Sequence, residues 1–442
     1  MDNFVFAITA PVPPLLIAAG LFFCFKLRFF WFAHPKKLFS ALFSKSSGNG
    51  VPPFRAMTLA LSGTLGVGNI IGVAGAIAVG GFGAVFWIWI SAVCAAVLKY
   101  AEIVLSLEHR REYRGERFGG APYYIMDFLR GKGFFRAGAV ISVFFAAVCT
   151  AEVLSTGCGI QINAAASALE ESFGIPPIAV GIIAAALTVY AVSGGAERTS
   201  RLTAAVIPAL SLFYIAVSFA VLFARADALP RVFSLILSDA FDFESAAGGA
   251  LGFIFCRAVR VGSMRGLLSN EAGCGTSPLA HASSSAESSA EQGVLGILEV
   301  LFDTVFLCTL TAAVIIISYE DACVFAAEPI KMALCAYSSV LGEWIEAPLS
   351  LAVAIFGIST VICCAHYARE CVFFIFKKRT KAVSRACLAV YAAVIPLGAC
   401  TSLSLLWHVS DISLGIMTAI NVTFLLLMRD EISLVTKKHF GK

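Results

Sequence analysis

Gly63-Thr64-Leu65-Gly66-Val67-Gly68-Asn69-Ile70-Ile71-Gly72 lies in the middle of an apolar run, residues 55–79, that is long enough to cross a bilayer. A regular spanning helix would be Leu-rich here. Instead Gly63, Gly66 and Gly68 crowd together and end at the polar Asn69. Glycine costs roughly 1 kcal/mol relative to alanine inside a helix. Three of them at mid-membrane depth therefore predict an unwound turn. Unwound backbone is tolerated in a bilayer only where it lines an enclosed cavity, which is how broken-helix transporters build a binding site. The turn would aim N–H groups at a carboxylate and carbonyls at a cation.

The surrounding chain agrees with a membrane setting. Of 442 residues, 59% are hydrophobic and 14% charged, and the mean hydropathy is +0.88. A soluble protein of this length carries about 25% charge. Apolar runs recur at roughly 5–26, 55–79, 83–107, 137–167, 176–193, 202–224, 246–268, 292–318, 347–376, 384–402 and 411–428. The expected fold is thus an all-α polytopic membrane protein with about eleven spanning helices, forming one domain over 1–442. No hydrophilic stretch is long enough for a further domain.

Placing the N-terminus outside puts most of the 32 basic residues in cytoplasmic loops and the cytoplasmic C-terminus, leaving Arg225, Arg231 and Lys331 outside. The net charge of +4 then reflects this bias and gives no reason to expect nucleic acid. The first run lacks a basic start and a small-residue cleavage site and reads as a retained helix. The fourteen cysteines include no C-x-x-C pair and read as packing residues.

The run at 246–268 repeats the glycine signal. It holds Gly248, Gly249 and Gly252, then Arg257, Arg260 and Arg265, and leads into Ser269-Asn270-Glu271-Ala272-Gly273. The two glycine-interrupted runs lie five helices apart and so cross the membrane in opposite senses. This predicts a ten-helix, five-plus-five inverted-repeat core with two broken helices, an extra helix at 5–26, and repeats at 55–224 and 246–428.

Several longer stretches carry a family resemblance: GTLGVGNIIGVAGAIAVGGFGAVFWIWISA (63–92), KYAE (99–102), GGAPYYI (119–125), RGLLSNEAGCGTSPLAHA (265–282), Phe302-Asp303-Thr304 and FGIST (356–360). With these the chain resembles the alanine or glycine:cation symporters, sodium-coupled carriers of the bacterial or archaeal plasma membrane with a leucine-transporter-type fold. The resemblance implies a sodium site at Asn69 and a second at Ser359 and Thr360. It implies a solute pocket at Gly66, Gly68, Asn69 and Gln161. Cys364 stands where the family has a pocket-lining Trp, which predicts an enlarged pocket, and Arg257 stands where a neutral amide is usual. Arg257 is expected either to face the solute or to pair with Glu152 or Glu299. Counting about 1.5 Å per residue from Ala246 puts Asn270 and Glu271 near the cytoplasmic face, as gate or loop anchors.

Lys99 and Glu102, three apart in one helix, are expected to pair. His281 and His366 look isolated, and no nucleophile–base or metal set converges, so no enzyme is expected. The implied function is symport of sodium with a small neutral amino acid such as alanine or glycine, without an organic cofactor. Altered specificity, proton coupling or a transport-dead sensor are the alternatives. The sequence leaves the oligomeric state open.

Overall fold

The computed structural model describes residues 8–44, 46, 50–113, 115–241, 257–319, 328–376, 381–401 and 403–441. Gly248, Gly249 and Gly252 lie outside them. Besides two short helices at Phe30–Ala33 and Pro35–Ala41, the described helices in chain order are α1 (Val12–Lys26), α2 (Pro53–Thr64), α3 (Val73–Gly80), α4 (Gly83–Glu108), α5 (Ala121–Gly131), α6 (Phe135–Leu154), α7 (Gln161–Phe173), α8 (Pro177–Ser193), α9 (Gly195–Ala224) and α10 (Leu229–Ala240). They continue with α11 (Arg257–Asn270), α12 (Ser277–His281), α13 (Ser289–Val300), α14 (Cys308–Ile317), α15 (Pro329–Leu341), α16 (Glu346–Phe376), α17 (Lys381–Cys400), α18 (Leu403–Leu427) and α19 (Arg429–Phe440). A small antiparallel hairpin, Arg111–Tyr113 with Glu116–Phe118, interrupts the otherwise helical architecture.

Seven spans among the described residues are long and apolar enough to cross a membrane, or eight if the bent pair α2–α3 is one span. Two of the expected eleven differ: Val12–Lys26 and Pro177–Ser193 are apolar but short. The run at 246–268 is described only from Arg257 onward. An apolar helix that the reading of the runs had omitted, Pro329–Leu341, lies between α14 and α16.

Three spans contain π-helical turns: Gly68–Gly72 before α3, Ser155–Ile160 between α6 and α7, and Leu301–Leu307 between α13 and α14. Such turns concentrate at functional sites because they loosen the regular bonding of the helix. Among the seven unbroken spans α4 is the most buried, and it packs against α1, α11 and α13. Around it, α7 lies on α16, and α8 lies on α17. The outer helices α9 and α17 present Leu212, Phe223, Val390 and Leu397 outward, as a lipid-facing surface does. Among the cysteines, Cys335 is disulfide-bonded, which corrects the uniform packing role expected from the sequence.

The interior charges also pair differently from expectation. Lys99 does not pair with Glu102. Its ammonium donates to Glu299 Oε1 at 2.5 Å and to the Asn270 carbonyl at 2.8 Å. Glu102 turns to α18, where Asn421 Nδ2 donates to it at 2.8 Å. Residues three apart on a helix point about 60° apart, and here two different neighbouring helices supply the partners. His281 is not isolated either. Its Nδ1 accepts from Gln292 Nε2 at 2.8 Å, which leaves Nε2–H to donate to Glu299 Oε2 at 3.1 Å. Glu299 thus receives a donor on each oxygen.

At the end of α4, His109 is clasped between Asp127 Oδ2 of α5 and Glu431 Oε1 of α19, at 3.1 and 3.0 Å. Burial disfavours its charge, but hydrogen bonds and attraction from both carboxylates prevail and raise its pKa from 6.5 to about 9. The sign follows: stabilisation by this clasp is fully present below pH 6.5 and is lost as pH rises through about 9. Thermal melting of the purified protein should therefore fall over that window. His109→Gln should flatten the fall while lowering stability at acid pH.

Candidate functional site

The expected break is present. α2 stops at Thr64, the chain resumes at Gly68, and the two halves are bent by 49°. Every residue from Gly63 to Val73 is buried. The Gly66 N–H returns to the Thr64 carbonyl at 2.8 Å. The Val67 N–H, freed from the helix, donates to Gln161 Oε1 at 2.8 Å. A side-chain amide from the start of α7 therefore satisfies the unwound backbone, as a membrane interior requires.

A second break falls between α11 and α12, at residues 271–276, while the glycines at 248–252 lie outside the described residues. Glu271, Gly273 and Gly275 take positive φ angles of 49°, 86° and 85°, which turn the chain. Asn270 and Glu271 follow directly on Ser269, which meets Asn69 at 2.9 Å, so they sit beside the first break and not at a membrane face. The count from Ala246 runs through residues outside the described ones. Asn270 Oδ1 accepts from the Ala272 N–H at 2.9 Å, and Glu271 Oε2 accepts from Thr276 Oγ1 at 2.6 Å. Both bonds hold the turn.

Where the two breaks meet, four side chains from three spans converge. Asn69 Nδ2 donates to Asp303 Oδ1 at 2.6 Å. Ser269 Oγ lies 2.9 Å from Asn69 Oδ1, 2.7 Å from Asp303 Oδ2 and 3.2 Å from Thr304 Oγ1. Thr304 Oγ1 donates to Asp303 Oδ2 at 2.8 Å. The Ser269 hydroxyl has one proton for these close oxygens. The cluster is thus rich in oxygen, short of protons and anionic, which is the donor set a hard cation takes. Sequence reasoning found Asn69 and missed Ser269, Asp303 and Thr304. The available signal was Asp303 itself, a carboxylate inside an apolar segment.

A second patch forms on the other side of the first break. A Cβ on Gly66 would sit 2.4 Å from Thr360 Oγ1 and 2.5 Å from Gln161 Oε1. Thr360 Oγ1 donates back to the Phe356 carbonyl at 3.2 Å, so its lone pairs remain. Ser359 is buried beside it. Gly68 differs from Gly66, for its nearest non-local atoms would be 3.9 Å from a Cβ. Cys364 does not open a space. A Cβ on Gly157 would lie 2.3 Å from its Sγ, so the thiol and the π turn have closed on each other. Arg257 is not brought to either patch. It is exposed at the first turn of α11, about 18 Å along that helix from Ser269. Nor does Arg257 pair with Glu299, whose two oxygens are taken by Lys99 and His281.

A buried oxygen cluster and an unwound turn, enclosed by spanning helices, define a membrane-embedded carrier with a broken-helix core. The chain matches the sodium:alanine symporter family over residues 2–442, and it belongs to that family. Members of this family are transporters and not enzymes. Among its relatives, it is 33% identical to the uncharacterized transporter YflA of Bacillus subtilis, over 97% of this chain and 91% of that one. It is 31% identical to the probable sodium/glutamine symporter GlnT of the same organism, over 94% and 84%. It is 30% identical to the sodium/alanine symporter AgcS of Methanococcus maripaludis, over 96% and 92%. In fold it is similar to a Na+-coupled sialic acid symporter in its substrate-bound outward-open state, with a TM-score of 0.51 at 12% identity, covering 98% of this chain and 86% of that one.

Two substitutions separate roles that the sequence treats alike. Gly66→Ala must displace Thr360 or the pinned Gln161 and should cut solute uptake at least tenfold. Gly68→Ala meets only ordinary van der Waals contact, at 3.9 Å, and should keep uptake within about threefold, both measured in liposomes. Lys99→Met leaves Glu299 buried with its cation gone, which costs about 3–5 kcal/mol. Its melting temperature should fall far more than that of the double variant Lys99→Met/Glu299→Gln.

Proposed function

We propose that this chain is a sodium-coupled symporter for a small neutral amino acid, working by alternating access. The observation that carries the reading is the proton-poor oxygen cluster of Asn69, Ser269, Asp303 and Thr304, set where the two breaks meet. Sodium is cargo in this reading. Bound there, it would neutralise Asp303 and draw α2–α3, α11 and the π turn at Leu301–Leu307 together. The amino acid's carboxylate would take the unwound backbone near Gly66 to Asn69, where the Val67 N–H now meets Gln161. Ser359 and Thr360 would hold a second sodium against the same turn. Ion and solute share the break, so each strengthens the other's binding by the same factor.

Small size is supported by the close approach of Thr360 and Gln161 to Gly66, and of Cys364 to Gly157. Alanine and glutamine, carried by named relatives, are the first solutes to test, with glycine. The two-repeat division at 55–224 and 246–428 and the external N-terminus belong to the same proposal.

Purified protein in liposomes, given labelled amino acids with sodium and proton gradients imposed separately, tests it. Uptake should follow the sodium gradient. Asp303→Asn should abolish sodium dependence and lower uptake at least tenfold, without loss of folded protein by size-exclusion profile. Uptake that follows only the proton gradient, or an Asp303→Asn variant with unchanged sodium dependence, would overturn the reading.

A further inference from the structure

A cavity of about 240 Å³ lies at the basic end of the molecule. It is bounded by the hairpin, the start of α9, the loop at Ser283 and the last turns of α16. Its walls are charged with both signs, including Glu116, Arg117, Arg369 and Glu370. This is far from the oxygen cluster. On α16, His366 stands about 9 Å and Arg369 about 13 Å beyond Thr360.

The cavity's inner wall is under-bonded. His366 is 2% exposed, and neither ring nitrogen has a hydrogen-bond partner among the described residues. Glu370 Oε1 is 3.8 Å from its Nδ1. Arg369 is 5% exposed, and its Nε–H has no hydrogen-bond partner among the described residues, with Glu370 Oε1 at 3.6 Å. Its other contacts are long: Glu116 Oε2 at 3.3 Å and the Val192 carbonyl at 3.4 Å. Well-made guanidinium–carboxylate bonds run about 2.7–2.9 Å. The guanidinium also lies over the Phe373 ring at 5.3 Å, which fixes its plane. Buried polar groups left unbonded cost about 1–3 kcal/mol each. Two unmet N–H donors therefore share this wall, one from Arg369 and one from whichever nitrogen of neutral His366 carries the proton.

We propose that this cavity is a second small-molecule site, which takes a carboxylate between Arg369 Nε–H and the His366 ring N–H. A planar carboxylate offers two oxygens and can accept from both donors. The ammonium of a free amino acid would then face the Glu116 and Glu370 side, so the transported solute fits as well as a plain organic acid. The solute version rests on the function proposed above and makes the cavity a holding site on the way out of the membrane.

Equilibrium binding of labelled alanine to the purified full-length protein tests this. The wild type should show a sodium-dependent component, lost in Asp303→Asn, and a sodium-independent component of about one per chain that Asp303→Asn retains. His366→Phe keeps the ring and removes both nitrogens, and should abolish the sodium-independent component or weaken it more than tenfold. Arg369→Gln should do the same. Competition with propionate separates the sources. Displacement by propionate as strong as by alanine marks a site for carboxylates in general, and displacement by amino acids alone marks the solute. Failure of alanine and glutamine at the Asp303-dependent site would overturn the symport reading only. The cavity is then read by propionate-induced stabilisation in thermal melting, which His366→Phe should remove. A wild type with neither sodium-independent alanine binding nor stabilisation by propionate would overturn the proposal. So would survival of either in His366→Phe of unchanged fold.

Discussion

A lysine ammonium with no exposure to solvent, inside a membrane protein, requires its charge and all its protons to be met by the protein itself. Lys99 meets this requirement with Glu299 on α13 and with the carbonyl of Asn270, the last residue of α11. That second bond matters most for the architecture. The final carbonyls of a helix have no partner within it, so a cation at this point fixes where α11 stops. With α11 stopped at Asn270, Ser269 faces Asn69 and Asp303, and the chain is free to turn through Glu271 and the two glycines. The oxygen cluster is a consequence of where that helix ends.

The bilayer imposes the same demand on both breaks, and they answer it in different ways. At the first, an incoming amide from Gln161 bonds the exposed Val67 N–H. At the second, the segment bonds itself, through Asn270 to Ala272 and Thr276 to Glu271. The difference bears on motion. A turn held by its own side chains keeps its shape, whereas a turn held by another helix can exchange its partner. Gln161 therefore ties the shape of the first break to the position of α7; in the proposed function its bond is the one the solute carboxylate would take over. The π turns preceding α3, α7 and α14 lie in the spans that supply these groups, where loosened helical bonding permits small rotations.

Much of this was legible in the chain. The cluster Gly66, Gly68 and Asn69 located the first break because glycine and a polar amide are costly in a spanning helix. The same rule pointed to the glycines at 248–252, which lie outside the described residues, and passed over the turn at Gly273 and Gly275. What marks that turn is Glu271 with a left-handed backbone, a feature of conformation that composition does not display. The charged residues were found but wrongly matched. Lys99 and Glu102 are neighbours in sequence, while Glu299 reaches Lys99 only because α13 packs on α4. Cys364 shows the same limit, since a small side chain reads as vacant volume until Gly157 is seen closing on it.

The sequence by itself determined that this chain is a helical membrane carrier, that the helix over 55–79 must break, and that Asn69 stands at that break. Those conclusions depend on local costs, apolar length and backbone propensity, which each segment carries regardless of its neighbours. Only the tertiary structure decided that Ser269, Asp303 and Thr304 join Asn69 in one oxygen cluster, that Gly66 is crowded while Gly68 is not, and that Arg257 lies outside. Each of these is a distance between segments far apart in the chain, set by which helix faces pack together and by which buried charges must find one another.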